Sequence, residues 1–117
     1  MKQVIDHDVI AELKGMDENG DFFRELTSMF AKNSSRLTAQ IRAAIEAGNA
    51  KDAAAAAHQL KSSSGGLGAR RVQDLCARIE KRALDGEAAG QGDLVTDLER
   101  ELAEALAHIA ELAGKAA

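Results

Sequence analysis

Ala57-His58-Gln59-Leu60-Lys61-Ser62-Ser63-Ser64-Gly65-Gly66-Leu67-Gly68-Ala69 reads two ways, and the fold turns on the choice. By local propensity, Ser62 to Gly66 is a loop. By periodicity it is helix: Ala53, Ala57, Leu60, Ser64 and Leu67 recur with 4-3-4-3 spacing, a narrow seam that faces a core. The rhythm runs through the serines and glycines, so the spacing predicts one helix from just after Asn49 to Leu67. Asn49 is a good N-cap, and Asp52 falls in the first turn, where the dipole favours it. Gly65 and Gly66 inside a helix each cost roughly 1 kcal/mol relative to alanine. Such a cost invites a reason, and close approach by another molecule is one.

Further helices follow on both sides. A short one is expected from Asp6, its cap, to Gly15, with Val9, Ile10 and Leu13 apolar. Asp17 to Asp21 is a turn. The next helix runs from Asp21 to Ala47, with Phe22, Phe23, Leu26, Met29, Phe30, Leu37, Ile41 and Ile45 at helical spacing and Gly48 as the residue that ends it. After the seam helix, Arg70 to Leu84 turns Val72, Leu75, Cys76, Ile79 and Ala83 inward. Asp85 to Gly92 is the one obvious flexible loop. Asp93 then caps a last helix carrying Leu94, Leu98, Leu102, Leu106, Ile109 and Leu112 to Ala113. The pattern predicts an all-α fold: an antiparallel up-down four-helix bundle, with the short additional N-terminal helix across one end. Residues 1–117 form a single domain.

Composition agrees. The 117 residues include no proline, tryptophan or tyrosine, which argues against a sheet. A formal net charge of −4 does not suggest a nucleic-acid binder. Arg70, Arg71, Arg78, Lys81 and Arg82 form a local basic cluster, read as the solvated face of one helix or a partner contact. The lone cysteine, Cys76, excludes an internal disulfide and fits a reducing compartment. No apolar run approaches the roughly 20 residues of a membrane span, and the N-terminus lacks a signal-peptide core. A cytoplasmic location is expected.

The seam fixes where His58 points. At 100° per residue, His58 lies about 140° from the core direction, Ser62 about 180°, Gly65 about 120° and Lys61 about 80°. The imidazole is therefore expected outside, with Lys61 beside it and small residues leaving the ring open. Exposed helix faces usually carry Glu, Lys, Arg and Gln, not a serine-glycine strip. A bare imidazole beside an ammonium suits transient capture of a phosphoryl group. An ordinary surface histidine is the competing reading.

At these residues the chain resembles the histidine phosphotransfer (HPt) domains of two-component phosphorelays. Ala57 to Ala69 matches their histidine motif almost throughout, and Leu75, Cys76, Ile79 and Glu80 match its continuation. Ser62 departs from it, standing where glycine is usual. The resemblance implies a phosphorelay intermediate without autonomous kinase activity. His58 would accept a phosphoryl group through Nε2 from a receiver-domain aspartyl phosphate and pass it to another receiver. It further implies that Lys61 offsets phosphoryl charge, that Ser62 and Gly65 permit close approach, and that Glu80 holds the other ring nitrogen or is simply solvated. Val9, Leu13, Met16, Phe22 and Gln59 match the receiver-docking patch; each apolar one can instead be core, but Leu13, Met16 and Phe22 are expected to be partly exposed. The implied partners are receiver domains of a hybrid sensor kinase and of a response regulator. No cofactor or metal is expected on this chain, the Mg²⁺ belonging to the receiver, and neither nucleic acid nor membrane is a partner. A monomer needs no extra assumption.

Other sites fail on spacing. Asp17-x-Asn19-x-Asp21 mimics the start of a calcium loop, but Phe22 stands where glycine is needed and Ser28 where glutamate is. Glu104 and His108 are one turn apart, and two ligands do not make a metal site. Cys76 lies on an apolar face with no histidine partner, and His7 is expected in solvent. Two other functions stay open: a non-catalytic helical docking module with a silent His58, and the phosphorylatable N-terminal domain of a chemotaxis-type kinase.

Overall fold

The computed structural model describes residues 3–16 and 19–115. Residues 17 and 18, inside the expected Asp17–Asp21 turn, and the chain ends lie outside it. Five helices follow in order: α1 (His7–Lys14), α2 (Asp21–Glu46), α3 (Ala50–Gly66), α4 (Arg70–Leu84) and α5 (Gly92–Lys115). No strand occurs among the described residues. α2 to α5 close a ring in which each packs on two neighbours, and α1 lies against α2.

The helix boundaries have local causes. The Asp6 carboxylate accepts from the backbone N–H groups of Asp8 and Val9 at 3.0 and 3.4 Å. Asn49 accepts from the Asp52 N–H at 3.1 Å and donates back to the Asp52 carboxylate at 2.8 Å, so the first turn of α3 is closed reciprocally. α3 runs unbroken through the serines and glycines to Gly66. Its inner face is nearly all alanine: Ala53, Ala54, Ala56 and Ala57 are buried with Leu60 and Ser64. Small side chains let α2 and α4 approach closely, and the core fills with larger residues from the other helices, among them Phe23, Ile41, Ile79, Leu98 and Ile109.

Four expectations need correction. Asp93 does not cap α5, because the helix already begins at Gly92 and its first bond runs from the Val95 N–H to the Gln91 carbonyl. Asp93 instead sits in the first turn, where the helix dipole favours an acid. The 85–91 connection is not a loose loop, because Ala88 and Gln91 are buried and the Gln91 amide donates to the Glu87 carbonyl. Nor is the basic cluster wholly solvated. Arg70 reaches the Asp6 carboxylate at 3.1 Å and Arg71 reaches Glu101 at 3.7 Å, while Arg78, Lys81 and Arg82 are exposed. Finally, Met29 shares helical spacing with the core but not its direction and is 53% exposed, whereas Phe22, at 40%, is partly exposed as expected of its docking position.

Candidate functional site

α3 and α4 build the site together. The core seam of α3 and the turn after it (Ala53, Ala57, Leu60, Ser64, Leu67) is buried throughout, so His58 is turned out. Its side chain is 61% exposed. Ser62 is exposed as well, and Lys61 is half-buried on the α4 flank. Opposite stands Glu80, its side chain only 15% exposed.

Glu80 joins the two α3 side chains. Its Oε2 lies 2.8 Å from His58 Nδ1, and its Oε1 accepts from Lys61 Nζ at 2.5 Å. A carboxylate can only accept, so Nδ1 carries the ring proton and the lone pair of the neutral imidazole sits on Nε2. Nε2 is the nitrogen turned away from Glu80, toward solvent. The pair of bonds therefore fixes both the tautomer and the ring orientation. Burial pushes the Glu80 carboxyl up, but the hydrogen bonds from Lys61 and His58, with Lys61's charge behind them, outweigh it and hold the group below its ordinary value.

The sign of the pH dependence follows. A carboxyl depressed on folding adds stability above its unfolded pKa and loses it as pH falls through the folded one. The Glu80 clamp is thus intact at neutral pH and opens only in acid below the ordinary glutamate range. Carboxyl ¹³C titration should place Glu80 below that range, and the ¹⁵N shifts of the neutral His58 ring should show the proton on Nδ1. Titration of Glu80 at or above an ordinary glutamate would contradict the clamp.

Cys76 lies one turn before Glu80, fully buried. Burial first, then the neighbouring Glu80 charge, pushes its thiol up to about 12, so it is an inert packing group.

Gly65 is approached from within the chain. A Cβ there would meet the Gln73 amide nitrogen at 2.6 Å, so the space is already taken by a side chain from α4. Gly66 is the open one, since a Cβ added there would find nothing within 4 Å. Of the expected docking residues, Met16 is 65% exposed, Phe22 and Gln59 are exposed, and Val9 and Leu13 are half-buried. The sequence reading missed a groove of about 240 Å³ lined by Leu26, Met29, Phe30, Asn33, Ser63, Gly66 and Leu67. A signal for it existed. Phe22, Leu26, Met29 and Asn33 form one stripe of α2, turned about 75° from the core stripe of Phe23, Phe30, Leu37 and Ile41.

Among the described residues no group of three or more potential ligands could hold a metal, and no helix is long and apolar enough to cross a membrane.

The helical bundle thus holds one imidazole outward, oriented by the Glu80 carboxylate, which the Lys61 ammonium also holds. A family model described as the Hpt domain matches residues 25–111. The chain is 31% identical over 91 residues to Multistep phosphorelay regulator 1 of Schizosaccharomyces pombe, covering 73% of this chain and 31% of that protein. It is 33% identical over 79 residues to Histidine-containing phosphotransfer protein 2 of Arabidopsis thaliana, covering 63% of this chain and 51% of that protein. It therefore spans only part of either relative. The crystal structure of histidine-containing phosphotransfer protein B from Pseudomonas aeruginosa superposes with a TM-score of 0.89 at 25% identity, over 98% of both chains. The chain belongs to the Hpt domain family.

Proposed function

We propose that the chain is a phosphorelay intermediate whose His58 carries the phosphoryl group between two receiver domains, one on a hybrid sensor kinase and one on a response regulator. The observation that carries this reading is the Glu80 bond to Nδ1 at 2.8 Å, which leaves Nε2 as the free nucleophile on an exposed ring. Nε2 attacks the phosphorus of the receiver's aspartyl phosphate. The P–N bond forms as the P–O bond breaks, and the aspartate leaves as a carboxylate. The Nδ1 proton stays in place, so the phosphorylated ring is cationic and Glu80 offsets its charge. Return to a second aspartate reverses the same steps.

The receiver supplies Mg²⁺ and the acidic pocket, and this chain supplies a placed nucleophile without kinase activity of its own. Lys61, already charged beside the ring, offsets the incoming phosphoryl group. Ser62 leaves the ring open. The docking face is Met16, Phe22 and Gln59 with the edges of Val9 and Leu13, continued by the Met29 groove. Its small area suits a transient encounter between a monomer and a receiver. The single, buried thiol is compatible with a reducing compartment and supports a cytoplasmic relay.

Incubation with a panel of phosphorylated receivers tests the reading: the chain should take up acid-labile, base-stable label. No label from any receiver would favour a silent docking module. Lys61→Ala should slow transfer by about 100-fold, the lower end of the roughly 100- to 1,000-fold that one electrostatic donor contributes, with the helix content unchanged by circular dichroism. Lost helix would show that Lys61 is structural.

A further inference from the structure

α1 and the turn after it carry three of the proposed docking residues, Val9, Leu13 and Met16. Yet α1 has eight residues, of which only Ile10 is fully buried. That is shorter than the ~12–15 residues an isolated helix needs in water, so its position is set by what grips it.

One residue grips its N-terminal end three ways. The Asp6 N–H donates to the Gly68 carbonyl at 2.7 Å. Its Oδ1 caps α1. Its Oδ2 accepts from Arg70 Nε and Nη2 at 3.3 and 3.1 Å. Gly68, at φ +73°, makes this approach possible: a Cβ there would stand 3.1 Å from the Asp6 carbonyl and 3.2 Å from the Val9 Cβ. Arg70 also donates to Gln73 Oε1 at 3.0 Å, and Gln73 covers Gly65 on the histidine face. The bonds thus join the docking helix, the α3–α4 turn and the strip beside His58. Arg70 precedes Glu80 by about 15 Å along α4, too far to touch the reacting atoms.

We propose that the Asp6–Arg70 clasp positions the receiver: it sets where Val9, Leu13 and Met16 stand relative to His58, and so fixes receiver affinity without entering the chemistry at the imidazole. The inference rests on the docking face proposed above. Asp6→Asn, Arg70→Gln and the double variant test it in the full chain, since asparagine still caps α1 but loses the charge.

Transfer from a phosphorylated receiver should show a KM raised about 2- to 30-fold, the range for residues that modulate a site they do not touch. The kcat at saturating receiver should stay near wild type, as should direct labelling by phosphoramidate, a small donor that needs no docking. The double variant should be no worse than either single one. An unchanged KM in both single variants overturns the proposal, as does a parallel fall in phosphoramidate labelling. Loss of the far-UV helix signal also overturns it, because a clasp that holds only α1 leaves the α2–α5 ring folded. Met16→Ser and Phe22→Ser, run alongside, separate the two readings. If they raise KM and the clasp variants do not, only the clasp fails. If none raises KM, the docking face fails with it.

Discussion

His58→Gln is expected to reduce receiver-dependent label to background while leaving the melting curve in place. Glutamine is close to histidine in length, and its amide can still donate to Glu80, so the Glu80–Lys61 bond has no reason to rearrange. The side chain is 61% exposed, and substitutions at such sites usually change stability by no more than about 0.5 kcal/mol. Chemistry, by contrast, has no substitute: an amide nitrogen has no basic lone pair to attack phosphorus. His7 and His108 are the other histidines, both exposed, and among the described residues neither is held by a carboxylate as His58 is. Full label on the Gln variant would move the acceptor to one of them and remove the meaning given to Glu80. Partial label would mean that more than one imidazole is competent, which the single oriented ring does not allow.

The parts of this site that were legible in the sequence are those fixed by helical phase. The seam residues of α3 define an inside, and His58, Lys61 and Ser62 then take their directions from 100° steps. The same arithmetic puts Val72, Leu75, Cys76, Ile79 and Ala83 inside α4, and all five are buried. Contacts between helices are another matter, because phase within one helix says nothing about register against its neighbour. The Glu80–His58 bond joins positions 22 residues apart, and only the resemblance suggested it. The Arg70–Asp6 bond joins positions 64 apart and was not suggested at all. Charge alone made Arg70 look solvated, whereas its exposure was decided by a capping aspartate on another element.

Gly65 shows the same limit from the other side. A glycine within a helix correctly signals that something needs the space, but not what. Here Gln73 takes it, from the chain's own α4. The connection at 85–91 misled for a related reason. Its glycines at 86 and 90 do adopt left-handed φ values of 87° and 88°, as a turn would. Between them, however, Ala88 is small and apolar enough to plug into the core. Met29 was misassigned because its spacing from Leu26 and Phe30 satisfies a helical period on either of two adjacent stripes. Only the longer run through Phe23, Leu37 and Ile41 separates core from groove.

Leu60→Ala is expected to be the most costly of the single truncations around the site, at about 2–5 kcal/mol. Leu60 is fully buried, and it stands between His58 and Lys61 on α3. Its neighbours on the seam are already alanines and a serine, so it supplies most of the bulk that α3 gives to the core. Such a face has little with which to fill the hole, which pushes the cost toward the upper end. Against a typical total of about 5–15 kcal/mol the loss is a large share, and the midpoint should fall by roughly 10–20 °C. The urea midpoint should drop at unchanged m, since the same surface is exposed on unfolding. Leu84→Ala is the control: Leu84 is exposed at the end of α4, and its loss should stay within about 0.5 kcal/mol. At temperatures where Leu60→Ala remains folded, transfer should suffer far less than stability, because Glu80 still holds the ring from α4. A cost below about 1 kcal/mol would mean that α3 closes over the gap without strain. The seam would then not be the rigid back that turns His58 outward, and the orientation of the imidazole would need another cause.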